Sequence, residues 1–158
     1  MIRVLLIDDH AIVRQALRSL LINAKDIQII AEAATGAEGV QLARELHPSV
    51  IILDLKLPDI SGLEVTTRCL RLEPAPKILM VSSTGHYEYS QRILKMGASG
   101  YITKDADREE LIKAIRAVHR DQPFISAAIA SRLALAKIDY KAHAIFSELN
   151  NKEMEVLM

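Results

Sequence analysis

The chain is 158 residues long, half hydrophobic and a quarter charged, with 20 basic side chains matched by 20 acidic ones. That balance holds in both parts of the chain (16 basic and 15 acidic over residues 1–120, 4 and 5 afterwards) and excludes a polycationic binder of nucleic acid or membrane surfaces, because affinity for phosphates needs clustered positive charge. Abundant Leu, Ile and Val with only 6 Gly and 5 Pro exclude a disordered or fibrous chain, and the single cysteine, Cys69, excludes an intramolecular disulfide framework.

The opening MIRVLLIDDH carries one basic residue and a short apolar run closed by two aspartates. An export signal needs a longer apolar stretch, and no span of about 20 apolar residues occurs, so a cytoplasmic protein without a membrane segment is expected. Short apolar runs then alternate with longer segments of helical period. The runs are Ile2–Ile7, Ile27–Ala33, Val50–Leu53, Lys77–Ser82 and Ser99–Ile102. All but the second are continuously apolar, as strands are when a parallel sheet is covered on both faces. The bridging segments are Ala11–Ala24, Ala37–Leu46, Gly62–Leu72 and Tyr87–Met96, followed by Arg108–His119. Val13, Leu17, Leu20 and Leu21 recur at helical spacing in the first of them. Five such units in 120 residues predict an α/β fold, a doubly wound five-stranded parallel sheet with right-handed crossovers. Pro48, Pro58, Pro74 and Pro76 fall at the junctions, where a missing N–H does no harm.

After Arg120 the rhythm changes. Residues 121–146 read as a linker with a helix over about 126–137 (SAAIASRLALAK), opened by Ser126 as a candidate N-cap. Residues 147–158 begin another helix, with Asn150 as cap, Glu153 three residues on, and Met154, Leu157 and Met158 on one face. So short a helix buries little, and the expectation is a unit cut short.

In an open parallel sheet, ligands bind beyond the carboxyl ends of the strands. The first strand ends in Asp8 and Asp9, the third in Asp54, the fourth in Ser82 and Ser83, and the fifth runs into Thr103 and Lys104. Three carboxylates, hydroxyls and one ammonium thus converge on one rim. Carboxylates so close repel unless a cation or a proton intervenes, and oxygen-only ligands suit a hard cation such as Mg²⁺. A carboxylate beside such a cation can attack a phosphorus centre. No glycine-rich loop follows the first strand, so nucleotide cradling is not expected there.

The motifs LLIDDH, ILDLKLPDISG, ILMVSS and GYITK, in this order and spacing, resemble those of bacterial response-regulator receiver domains over residues 1–120. The resemblance implies a flavodoxin-like (βα)5 fold with strand order 2-1-3-4-5 and a C-terminal helical extension. It further implies Asp54 as phosphoacceptor, with Asp8, Asp9, Asp54 and the backbone carbonyl of Lys56 as Mg²⁺ ligands. Ser82 matches the switch hydroxyl, Lys104 the phosphoryl-contacting lysine and Tyr101 the switch aromatic. The DDH and KD wording is closest to the NarL/FixJ family. RDQPFIS and IASRLAL resemble linkers of the GacA/UvrY/SirA group, and LNNKEMEVL the first helix of a LuxR-type helix-turn-helix. One departure is Asp105 where many members have proline. A cis peptide after Lys104 would cost about 3 kcal/mol instead of under 1, which bears on the loop's geometry and not on the lysine's role.

The implied function is a two-component switch. A histidine kinase would donate a phosphoryl group to Asp54, and the face formed by the fourth helix, fifth strand and fifth helix would change affinity for a partner. DNA binding and transcription control would follow through a C-terminal domain absent from these residues, with no DNA-contacting residue here. A second copy of the chain is a candidate partner. An enzyme is not expected, beyond self-phosphorylation and slow self-dephosphorylation. Two other readings stay open, a Mg²⁺-dependent phosphohydrolase with an aspartate nucleophile and a phosphorylation-independent interaction module. At single positions, paired aspartates also cap helices, Ser83 and Thr84 lie close enough to replace Ser82, and Tyr101 could serve packing alone. Cys69 reads as a packing residue, and the five scattered histidines as surface residues without metal-ligand spacing.

Overall fold

A computed structural model describes residues 1–83, 88–131 and 134. The elements alternate as β1 (Ile2–Ile7), α1 (Ala11–Leu21), β2 (Ile27–Ala33), α2 (Gly36–Leu46), β3 (Val50–Asp54), α3 (Gly62–Leu70), β4 (Lys77–Ser82), α4 (Glu88–Lys95), β5 (Gly100–Thr103), α5 (Arg108–His119) and β6 (Phe124–Ile125). All pairings are parallel, in the order β2-β1-β3-β4-β5-β6. The first five strands stand in the expected order, and the chain adds a sixth outside β5. Among the described residues no helix is long and apolar enough to cross a membrane.

Alternation along each strand divides the core. Val4, Leu6, Val50, Ile52, Val81 and Ile102 face one side, where Leu17 and Leu21 of α1 and Leu111, Ile115 and Val118 of α5 cover them. Leu5, Ile7, Ile51, Leu53, Met80 and Tyr101 face the other, against Val40 of α2, Val65 and Cys69 of α3 and Ile93 of α4. Each such side chain taken out of water contributes about 1.5–3 kcal/mol, and both faces contribute, so the apolar runs are continuous rather than alternating.

Helix starts follow their caps. Thr35 Oγ1 accepts from Glu38 N, Ser61 Oγ from Glu64 N and Asp107 Oδ1 from Glu110 N. Three helices stop short of their predicted ends, α1 at Leu21 instead of Ala24, α3 at Leu70 instead of Leu72 and α4 at Lys95 instead of Met96. The surplus apolar residues lie in the following turns, where Ala24 N donates to Leu21 O and Leu72 N to Cys69 O. The Lys104–Asp105 peptide is trans, the one cis peptide among the described residues being Glu73–Pro74.

The segment after α5 is not only a linker. Phe124 N donates to Ser99 O and Ser126 N to Tyr101 O, which makes β6. Ser126 then caps a turn of helix through Ile129 N (3.4 Å), with residues 127–131 and 134 helical. Ile129 is buried in the same cluster as Tyr101 and Ile93. Thr84, the start of the fourth predicted helix at Tyr87, the remainder of the linker and the predicted helix at 147–158 lie outside the described residues.

Two substitutions probe this arrangement. Leu53→Ala should lower unfolding stability by about 2–5 kcal/mol in a denaturant titration, because it opens a cavity in a fully buried strand. Gly100→Ala would set a Cβ 2.8 Å from the Phe124 carbonyl and 2.9 Å from Leu79. A loss of about 1–3 kcal/mol is expected, with faster hydrogen exchange at the Ser126 amide as β6 is displaced.

Candidate functional site

The register sets the site. Ile7 pairs with Leu53, so Asp8 and Asp54 stand at the same height on neighbouring strands. Asp54 pairs with Val81, and Val81 with Ile102, which places Lys104 two residues above that level. The two-residue alternation aims Asp8, Asp54 and Lys104 toward one face of the sheet edge. Ser82 and Tyr101 belong to the opposite face.

Asp8 and Asp54 are both buried, with side chains about 5% and 4% exposed. Lys104 Nζ lies 3.2 Å from Asp54 Oδ2 and 3.7 Å from Asp8 Oδ2, so one ammonium serves two carboxylates. Burial pushes the Asp54 carboxyl above its ordinary value, the Asp8 charge adds to this, and Lys104 opposes it. Asp9 is more exposed and completes the cluster. One ligand atom from each of Asp8, Asp9, Asp54 and His10 can be chosen so that all lie within 4.8 Å of one another. The Lys56 amide approaches Asp54 Oδ1 at 3.4 Å, which sets its main chain against the same carboxylate, while its side chain is exposed.

This donor set fits a hard divalent cation. Three carboxylates bring more negative charge than Lys104 balances, and a small cation held by carboxylate oxygens would relieve the Asp8–Asp54 repulsion.

Ser82 and Tyr101 form a second, buried pair. Both are about 1% exposed, and Ser82 lies close enough to the phenol to influence its ionisation. Burial raises the Tyr101 phenol, with Ser82 working against it. Ser82 Oγ also lies 3.3 Å from Ser83 O, and Ser83 itself is exposed.

The structure thus brings Asp8, Asp9, Asp54, Lys56 and Lys104 together and sets Ser82 against Tyr101. Three neighbours escaped the sequence reading. His10 is exposed, as expected of the histidines, yet its Nδ1 lies 3.2 Å from Asp8 and 3.0 Å from Asp9. The signal was adjacency to the acidic pair, which a search for ligand spacing passes over. Arg14 donates to the Asp8 carbonyl (2.6 Å) and to Glu32 (3.1 Å), tying α1 and β2 to the acidic loop. Asp59, inside the LPDISG motif, accepts from the first two amides of α2. Asp105, where proline was expected, accepts from the Thr103 hydroxyl.

With this geometry in place, comparison with known proteins is informative. The model of the response regulator receiver domain matches residues 4–116. The response regulator GacA of Pseudomonas aeruginosa is 37% identical over 159 aligned residues, covering all of this chain and 74% of the relative. The response regulator UvrY of Escherichia coli K12 is 33% identical, over all of this chain and 73% of the relative. A LuxR-family two-component response regulator from Aurantimonas sp. SI85-9A1 superposes with a TM-score of 0.81 at 34% identity, over 86% of this chain and 97% of that one. The chain therefore belongs to the two-component response regulators of the GacA/UvrY type, and residues 4–116 are its receiver domain.

Proposed function

We propose that Asp54 accepts a phosphoryl group from the phosphohistidine of a sensor kinase and that the resulting charge is read through Ser82, Lys104 and Tyr101. The observation that carries this is the buried Asp54 carboxylate with Lys104 Nζ 3.2 Å away and Asp8 beside it. In the transfer, an Asp54 oxygen forms the P–O bond as the donor's P–N bond breaks, and the leaving imidazole keeps the electron pair. The ionised carboxylate needs no base, and the Lys104 ammonium stands beside it. Asp8, Asp9, Asp54 and the Lys56 carbonyl would hold Mg²⁺, which supplies neutralisation of the phosphoryl oxygens when bound.

Phosphorylation exchanges one carboxylate charge for nearly two on three strong acceptors. Lys104, until then shared between Asp8 and Asp54, has stronger acceptors to follow. The Ser82 hydroxyl, buried beside Tyr101, has a reason to turn toward the same oxygens. Tyr101 then repacks beneath the face built by α4, β5 and α5. Here that face also includes β6, since the Tyr101 carbonyl accepts from Ser126 N and Ile129 shares its cluster. A change at Tyr101 therefore reaches the segment leading to the C-terminal region. Joined to a LuxR-type DNA-binding domain, this segment would turn the change into transcription control.

Incubation with Mg²⁺ and acetyl phosphate should add one phosphoryl group by intact mass, and Asp54→Asn should add none. Labelling that persists in Asp54→Asn overturns the assignment, and steady turnover of phosphate esters would favour a hydrolase. A second prediction concerns pH. The Asp54 carboxyl is raised above 3.8 in the folded chain, so the stability linked to its protonated form is full below that value and lost as pH rises through the folded one. In chelator at pH 7, Asp54→Asn should melt higher than the unaltered chain, and the gap should close as pH falls toward 3.8.

A further inference from the structure

Residues 55–61 join Asp54, the last residue of β3, to α3, and they are pinned at both ends. Gly62 N donates to Leu55 O at 2.8 Å, an approach that only glycine permits, since a Cβ there would sit 2.5 Å from the Asp54 carbonyl. The loop's apex reaches away from its own helix. Asp59 Oδ1 accepts from Gly36 N at 2.8 Å and Oδ2 from Ala37 N at 2.9 Å. These are the first two amides of α2, and Thr35 accepts from the third at Glu38. Asp59 and Thr35 thus satisfy α2's opening donors between them, one from a distant loop and one from within. Beside Asp59, Ile60 lies against Gly36 so closely that a Cβ on Gly36 would meet Ile60 Cγ1 at 2.4 Å. The same amides hold the Asp59 carboxyl down to about 2, so the bond persists across working pH.

Thr35 reaches only the Glu38 amide, and the Gly36 and Ala37 amides at the start of α2 are met by an acceptor from a loop 23 and 22 residues away. What the contact does is fix the loop. Lys56, whose amide approaches Asp54 Oδ1, sits between the Leu55–Gly62 closure and the Asp59 anchor. We propose that Asp59 is a positioning residue for the phosphorylation pocket: by binding the α2 amides, it holds the Lys56 main chain against Asp54 and so sets the pocket's affinity for a divalent cation. The inference rests on the proposed assignment of the Lys56 carbonyl as a ligand. It makes the start of α2 a place from which the pocket can be tuned without touching it.

The test is a calorimetric Mg²⁺ titration of the whole chain, with melting temperatures and amide exchange recorded on the same samples. Asp59→Ala should weaken Mg²⁺ binding about tenfold or more, as loss of an outer-shell partner does, and speed exchange at the Gly62 amide. Asp59→Asn, which keeps an acceptor for one of the two amides, should fall between. Thr35→Ala loosens the same helix by removing its internal cap, and should lower the melting temperature with Mg²⁺ affinity unchanged. If Asp59→Ala binds Mg²⁺ like the unaltered chain, or if Thr35→Ala weakens it as much, Asp59 is only a helix cap and the proposal is overturned. Failure of the unaltered chain to bind Mg²⁺ overturns the metal assignment and this inference with it, a result separable from the first because it appears before any substitution.

Discussion

Two carboxylates buried side by side at the end of a sheet are held by a single ammonium. Most of the molecule can be read as what makes that placement tolerable. Asp8 and Asp54 repel, and taking either out of water is costly. The arrangement survives because β3 is buried throughout, β1 is buried except at Arg3, and their register is fixed over four residue pairs. A slip of one residue would turn every apolar side chain to the wrong face. The two-faced core therefore holds the carboxylates at one height against their repulsion. Lys104 comes from β5, two strands from Asp54, and reaches both. The site is a balance short of positive charge, which an added cation would relieve.

Second contacts keep the balance in place from either side. On the Asp8 side, Arg14 bonds the Asp8 carbonyl and is itself held by Glu32, which also pairs with Arg18. On the Asp54 side, the loop is fastened to α2. The acidic loop and the β3–α3 loop are thus tied to different helices, α1 and α2, which lie on opposite faces of the sheet. A change in the separation or charge of the carboxylates pulls on both layers together.

The parallel fold was legible because its signals are long and redundant. Five apolar runs and five helical segments, with prolines at the joints, leave few topologies once crossovers are right-handed. The carboxylates and Lys104 were legible for a related reason, since strand ends converge on one rim whatever the neighbours do. β6 was not, because two residues carry no periodicity, and its pairing depends on Gly100 leaving space for the Phe124 carbonyl. Asp59 was hidden within a motif that reads as a turn. Its partners, the amides of Gly36 and Ala37, lie 23 and 22 residues away and leave no mark in composition. His10 was set aside because metal-ligand spacing presumes separated ligands, whereas here the chain turns at once and stacks three consecutive residues on one cluster.

β6 changes what the sheet edge beside β5 offers. An edge strand with unpaired amides invites any partner able to add a strand. Here the two residues after the α5 turn take part of that position, bonding the carbonyls of Ser99 and Tyr101. The edge beside Tyr101 is therefore occupied by the chain's own continuation, and Ile129 closes the apolar space beyond it. A partner that needs this edge must displace β6, whereas a signal moving Tyr101 acts on β6 directly. The pairing is two residues long and parallel, so it is weak in backbone bonding and depends on Ile125 and Ile129 for burial. A small repacking of Tyr101 would disturb those same side chains, so the segment is coupled to Tyr101 through packing more than through hydrogen bonds.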